Sequence, residues 1–506
     1  MTPWLFEALV LAMIGLSGVA GGIVVGWRHP LLLAGGAVLI SGTIRVFTSV
    51  SVWSAGFPTL IQAGWWWASG LLLITAGTWA VIRHRRELLT GFGFFAAFSA
   101  VGITVKYVLA WGERHHRDST SVVETALMIF QSGLDPARWD PSVNRGLSYP
   151  LMLALGPDGR MLSAITPVIL LSLAALAWWL ATTIMAGRVP QRWHIVAGII
   201  VGAFSLTVPI FRVSLTYLNA HTFMALGVLA MVAALVLLAR NKALTPETIA
   251  LLAFGGLIAA TARVEGAITV AVLLSVLVSS RWISTARDRA AIVAIIVFPV
   301  VGLTWWLDAI ESELPASLGL GTVVIVAGVA VAAIVVTSPL FDRIRHFIFP
   351  AVLVVVFALL IRIPLRSSDP VATVLAQFNN VVLGYGGWGV AATALGVSLV
   401  MLGWHSRSSE YRLLALLSVV LIFVTLFSKL FDGEGTLSGG FGRDGFYDSV
   451  NRMWLHTMGV VAVTMILGYA EFLFDFARRP RPSRRGTEPQ PDYTANTVPL
   501  SKDSQS

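Results

Sequence analysis

The sequence predicts an all-α integral membrane protein, a helical bundle of about fifteen spans, and three observations carry that prediction. The first is composition: a mean hydropathy of +0.80, with 56% hydrophobic and 12% charged residues, leaves too little polar surface for a fold organised around water. The second is that the apolar residues fall into runs of span length, roughly twenty residues each. They lie near 4–26, 31–49, 58–82, 88–111, 162–186, 194–211, 219–239, 247–261, 265–280, 290–307, 319–337, 347–363, 381–403, 412–430 and 454–476. The third is that the charges collect between these runs, and the basic ones favour alternate connectors.

That alternation sets a topology. The connectors 27–30, 83–87, 187–193, 240–246, 281–289, 338–346 and 404–412, with the tail after Phe476, hold most of the 35 Lys and Arg residues. The positive-inside rule makes these cytoplasmic, with the N-terminus outside and the C-terminus inside a plasma membrane. The first run lacks a basic flank and an Ala-x-Ala cleavage pattern, so it is expected to stay in the mature chain. A net charge of +9 and a pI near 10.2 would suggest nucleic acid in a water-soluble protein. Spread over short connectors, the same charge fits anionic membrane lipid, and no nucleic-acid partner is expected. The absence of Cys excludes disulfides, thiolate nucleophiles and iron–sulfur clusters. The Arg-, Pro- and Ser-rich stretch 477–506 cannot bury a core and is read as a disordered basic tail.

Polar residues able to do chemistry gather on the opposite, extracytoplasmic face. The loop from Glu113 to Met161 opens with His115, His116, Arg117 and Asp118, and Ser119 to Phe130 carries apolar residues at helical spacing. This reads as an amphipathic first-loop helix on the membrane surface, with Asp118 as its N-cap. A cap alone would account for Asp118, whereas a carboxylate at the membrane boundary is costly unless it is used. Adjacent histidines seldom aim at one ion, so no metal site is assigned, and a need for a divalent ion stays open. Thr261-Ala-Arg263-Val-Glu265-Gly266 separates two short apolar runs as a tight hairpin. Its ion pair either closes the turn or lets Glu265 orient the Arg263 guanidinium toward an anionic headgroup. Arg212 to His221 is a polar collar that also fits an interfacial belt. Last, Asp448, Arg452 and His456 recur every four residues into the final span, which puts them on one helical face turned toward a cavity.

The order of these features resembles the GT-C membrane glycosyltransferases that use polyprenyl-phosphate sugars, especially the bacterial mannosyl- and arabinofuranosyltransferase branches. The match rests on the extracytoplasmic Asp118 after an early span and on Gly146-Leu-Ser-Tyr149-Pro150-Leu leading into the next. It rests equally on the Arg263-Val-Glu265-Gly266 turn and on Asp448-Ser-Val-Asn-Arg452-Met-Trp-Leu-His456. The resemblance covers 88–476, which would be the GT-C-like transmembrane catalytic domain, and leaves 1–87 as additional N-terminal transmembrane helices. It implies transfer of a sugar from a polyprenyl monophosphate to a hydroxyl of a glycan, lipid or protein acceptor in envelope glycan synthesis. Asp118 would be the base of a single, inverting displacement. Arg452, Arg263 and Arg443 would hold the donor phosphate, with Glu265, Asp448, His456, Tyr149 and His116 in support. One departure is that Arg117 and Ser119 flank Asp118 where many members carry two adjacent acids. A metal bridge is therefore doubtful. A transporter or lipid flippase and an inactive scaffold of the same fold are the competing readings; Arg45 and Lys106, inside expected spans, are the residues a transporter would use.

Overall fold

A computed structural model describes residues 124–125, 173, 176–181, 183–186, 188–190, 208–210, 220–309, 327–328, 330–362, 375, 378–384, 386–388, 391–405, 408–428 and 452–478. Among them every regular element is helical and there is no strand. The long helices are α1 (Ala220–Asn241), α2 (Pro246–Ala262), α3 (Val264–Val278), α4 (Ala286–Ala309), α5 (Phe341–Arg362), α6 (Ala391–His405), α7 (Ser409–Ser428) and α8 (Met458–Arg478). Further helical residues are 173, 176–181, 183–185, 327–328 and 330–337.

Local chemistry sets the boundaries. Helix α1 stops at Lys242, whose φ of 55° places it in the left-handed region while its N–H closes on the Leu238 carbonyl at 2.8 Å. Helix α2 starts at Thr245, whose Oγ1 accepts from the Thr248 N–H at 3.2 Å, with Pro246 in the first helical position. Thr285 and Asp288 cap α4 reciprocally: the Asp288 N–H donates to Thr285 Oγ1 at 3.0 Å and the Thr285 N–H to Asp288 Oδ2 at 3.1 Å.

Helix α1 is apolar all round and buried from Ala220 to Ala239, so it is the axis on which the others pack. Its neighbours approach through small residues. A Cβ at Gly227 would stand 2.7 Å from the Gly255 carbonyl oxygen of α2, and one at Gly468 of α8 would stand 2.9 Å from the Ser398 carbonyl oxygen of α6. Between α7 and α8, Ser418 and Thr464 share a buried hydroxyl hydrogen bond of 2.7 Å. Most Leu, Val, Ile and Phe side chains of α1 to α3 are buried in one core, whereas Val354 and Val355 of α5, Val400 of α6 and Leu416, Val419 and Phe423 of α7 are exposed. Among the described residues, α1 is long and apolar enough to cross a membrane, and Leu251–Ala262, Glu265–Val278 and Trp454–Tyr469 are shorter apolar helices.

Most expected spans in the described region coincide with helices to within a few residues, but 381–403 does not. Phe378–Val382 forms a π-helical turn, and Gly384 and Gly387, at φ of 81° and 79°, break the chain before α6 begins at Ala391. The Gly387 carbonyl then accepts from the Ile210 N–H at 3.1 Å, tying this break to the chain ahead of α1. Glu124 and Thr125 of the first loop are helical, and Glu124 is exposed. The rest of that loop, the segment 1–87 and the tail beyond Arg478 lie outside the described residues.

Because α1 to α3 are successive antiparallel passes, the bundle has two chemically distinct ends. His221, Arg263, Glu265 and His456 lie at one, where α1 and α3 begin and α2 finishes. Arg188, Arg240, Lys242, Arg281, Arg289, Arg345 and Glu410 lie at the other.

Candidate functional site

The α2–α3 connection is a single extended residue, Arg263, at φ −158° and ψ 155°. So tight a turn requires Gly266, because a Cβ there would fall on the Ala259 carbonyl of α2. The turn leaves the Arg263 side chain at the end of the helix pair, where it grips Glu265 with two parallel bonds. Nε donates to Oε2 at 3.1 Å and Nη2 to Oε1 at 3.2 Å. Both side chains are largely buried, at 14% and 15% exposure, so this fork is held where screening by water is weak. Glu265 also sits in the first turn of α3, where the helix dipole favours a carboxylate.

Across from this fork, His221 of α1 and His456 face each other. His221 Nδ1 and His456 Nε2 are 2.8 Å apart, the rings stack at 4.8 Å with 22° between planes, and both residues are buried. One nitrogen of the pair must donate and the other accept, so the bond exists only while one of the facing nitrogens is unprotonated. The Glu265 carboxylate and the Arg263 guanidinium are close enough to His456 to act on it electrostatically. Arg452, buried to 7% exposure, comes four residues before His456.

The segment carrying Arg452 and His456 is not the continuous α-helix that fourfold spacing suggests. After Arg452 the chain makes a 3-10 turn, Trp454–Thr457, which contains His456 and in which the Thr457 hydroxyl donates to the Trp454 carbonyl at 3.0 Å. At three residues per turn, neighbouring side chains diverge by about 120° instead of about 100°. Leu455 and Met458 enter an apolar cluster with Val208, Ile210, Val381 and Trp388, while His456 meets His221. The π-helical break and the 3-10 turn thus support each other, and together they aim His456 at α1.

Of the residues singled out from the sequence, the structure brings together Arg263, Glu265 and His456, and it buries Arg452 at the same end. Asp118, His116, Tyr149, Arg443 and Asp448 lie outside the described residues. His221 is the member that sequence reasoning placed in an interfacial belt and so undervalued. The signal was present: it is an ionisable side chain at the second position of a 22-residue helix that is apolar almost throughout. Among the described residues no group of three or more His, Asp or Glu gathers as a metal site. Two guanidiniums, one carboxylate and a shared imidazole proton form a set suited to holding an anion and to tolerating a change in its charge.

No protein-family model matches the sequence, and neither a curated protein nor a solved structure matches it.

Proposed function

We propose that this chain is a multi-pass plasma-membrane glycosyltransferase of GT-C type, acting outside the cytoplasm on a polyprenyl-monophosphate sugar. The observation that supports this reading most is the buried polar cluster of Arg263, Glu265, His221 and His456, with Arg452 nearby, at the end of the bundle opposite the exposed arginines. By the positive-inside rule the arginine-rich end is cytoplasmic, so the cluster faces outward. Membrane placement is supported further by close helix contacts at Gly227 and Gly468, by the buried Ser418–Thr464 bond, and by the apolar side chains that α5, α6 and α7 expose.

In the proposed reaction the acceptor oxygen attacks the anomeric carbon and loses its proton to Asp118, and the bond from that carbon to the phosphate oxygen breaks. One displacement inverts the anomeric centre. The polyprenyl phosphate leaves with one more negative charge, which Arg452, Arg263 and Arg443 stabilise at a site of low dielectric. Glu265 fixes the Arg263 guanidinium in place, and His221 holds His456 in one tautomer. The supporting roles that the resemblance implies for Asp448, Tyr149 and His116 belong to this proposal as well.

The experiment is transfer of labelled sugar from a polyprenyl phosphate to acceptor by the purified protein. Wild type is expected to transfer. Asp118→Asn, which keeps an N-cap but cannot take the proton, is expected to bind donor and transfer at least about a hundredfold more slowly. Movement of the lipid between leaflets with no transfer would replace this reading with a flippase.

A further inference from the structure

The arginine-rich end carries more cationic charge than its carboxylates use. In the stretch from Arg281 to Arg289 and at the start of α5 there are five arginines, at 281, 287, 289, 343 and 345, and two carboxylates, Asp288 and Asp342. Asp288 is taken up in the α4 cap. Asp342 receives Arg289 at 2.6 Å and has Arg345 at 3.8 Å. These two arginines are also committed to backbone: Arg345 Nη1 donates to the Ile283 carbonyl at 2.9 Å and Arg289 Nη1 to the Ser338 carbonyl at 3.3 Å. They lock the α3–α4 connection to α5, as does the Phe349 N–H, which donates to Ser279 Oγ at 2.9 Å. Arg281, Arg287 and Arg343 are exposed around this locked frame, and Arg281 lies over the Trp282 ring at 5.7 Å.

Helix α5 continues the pattern with an apolar stripe. Arg343, Phe347 and Val354 recur at helical spacing and all are exposed, Phe347 to 63% and Val354 to 68%. His346 packs on Phe347 with ring centroids 4.0 Å apart. One face therefore presents a guanidinium at the end of the helix and Phe and Val along its length.

We propose that this face is a binding site for one anionic phospholipid, whose phosphate lies against Arg343 and Arg281 and whose acyl chain runs along Phe347 and Val354. Charge and shape both select that occupant. A zwitterionic headgroup brings no net charge to the surplus arginines, and a soluble phosphate makes no use of Phe347 and Val354. Bound lipid would brace the α4–α5 contact, to which Arg289 and Arg345 already belong. The site rests on the membrane placement argued above but not on the reaction.

The test uses the full-length protein in detergent, titrated with phosphatidylglycerol or with phosphatidylcholine, bound lipid being counted by native mass spectrometry. Wild type is expected to prefer phosphatidylglycerol by about tenfold or more, and R281Q/R343Q to lose that preference while eluting as the same folded species. Phe347→Ser is expected to weaken phosphatidylglycerol without restoring phosphatidylcholine. Equal affinity for the two lipids, or an unchanged preference in R281Q/R343Q, would overturn the site. Displacement of bound lipid by equimolar glycerol phosphate would overturn the acyl-chain half. Donor binding measured on the same variants separates the outcomes: its loss in wild type would count against the glycosyltransferase, and its survival in R281Q/R343Q is expected here.

Discussion

The two ends of the bundle use arginine in opposite ways. At the histidine end, Arg263 is mostly buried and gripped at two points by a carboxylate two residues away, and Arg452 is buried as well. At the other end, Arg188, Arg281, Arg287 and Arg343 lie at or near the surface, and the ion pairs are single contacts or shared ones, such as Arg289 and Arg345 on Asp342. A buried charge must be compensated within the fold, so it is expensive to disturb. An exposed one is compensated mainly by water, so it contributes little to stability. The same residue type is thus part of the buried fold at one end and of the solvated surface at the other.

The sharpest way to break this contrast is at the α2–α3 turn. Glu265→Ala leaves the Arg263 guanidinium largely buried with its fork removed. It is expected to destabilise the protein by about 3 kcal/mol, as uncompensated buried charges do. The measurement is the unfolding midpoint in a denaturing detergent, together with donor binding. A change below about 1 kcal/mol would mean that the turn is wetter than its burial implies, and the two ends would then differ less than argued here.

A smaller effect is expected at the α1–α2 crossing, which sets the distance between the turn and His221. Gly227→Ala puts a methyl 2.7 Å from the Gly255 carbonyl oxygen and 2.9 Å from the Ala259 backbone nitrogen. Backbone cannot rotate away as a side chain can, so the helices must part, at about 2 kcal/mol. The lengthening would strain the His221 to His456 bond, so donor binding should fall with stability. A matched Gly396→Ala, where a Cβ meets nothing within 4 Å, should change neither.

Much of this arrangement was legible in the sequence, and the failures have two causes. Apolar run length predicted the positions of α1 to α5, α7 and α8 to within a few residues, because a continuous apolar run without turn residues is buried most readily as a helix. The Arg263–Glu265 pairing was legible since both partners lie within three residues. The break at Phe378–Gly387 was not, because hydropathy carries no φ; only Gly384 and Gly387 hinted at it. The value of His221 was hidden for a different reason. Its partner is 235 residues away, and only the 3-10 turn at Trp454–Thr457 aims His456 toward it. Fourfold spacing of Asp448, Arg452 and His456 assumed α-helix throughout, which local charge patterning cannot test.

The smallest effect is expected at the exposed end, and its pH dependence identifies it. Glu410 stands at the start of α7, ahead of the expected span 412–430, and accepts from Arg188 Nη2 at 3.2 Å, while the same guanidinium donates to Ser408 at 2.8 Å and lies over the Tyr411 ring at 5.0 Å. Burial raises the Glu410 carboxyl, but hydrogen bonds to backbone, the Arg188 charge and its donated bond, and the Ser408 hydroxyl outweigh it and hold the group below its usual value. A depressed carboxyl contributes stability that is present above the unfolded value near 4.5 and is lost as pH falls through the lower folded value. Glu410→Gln is therefore expected to lower the unfolding midpoint slightly at neutral pH, by less than about 1 kcal/mol, because solvent screens Arg188. The difference from wild type should shrink as pH drops below the unfolded value and vanish once the wild-type carboxyl is protonated. A loss as large as that of Glu265→Ala would show that this end, too, is built on buried charge. A loss independent of pH would assign Glu410 to packing against Arg188 and Tyr411, not to its charge.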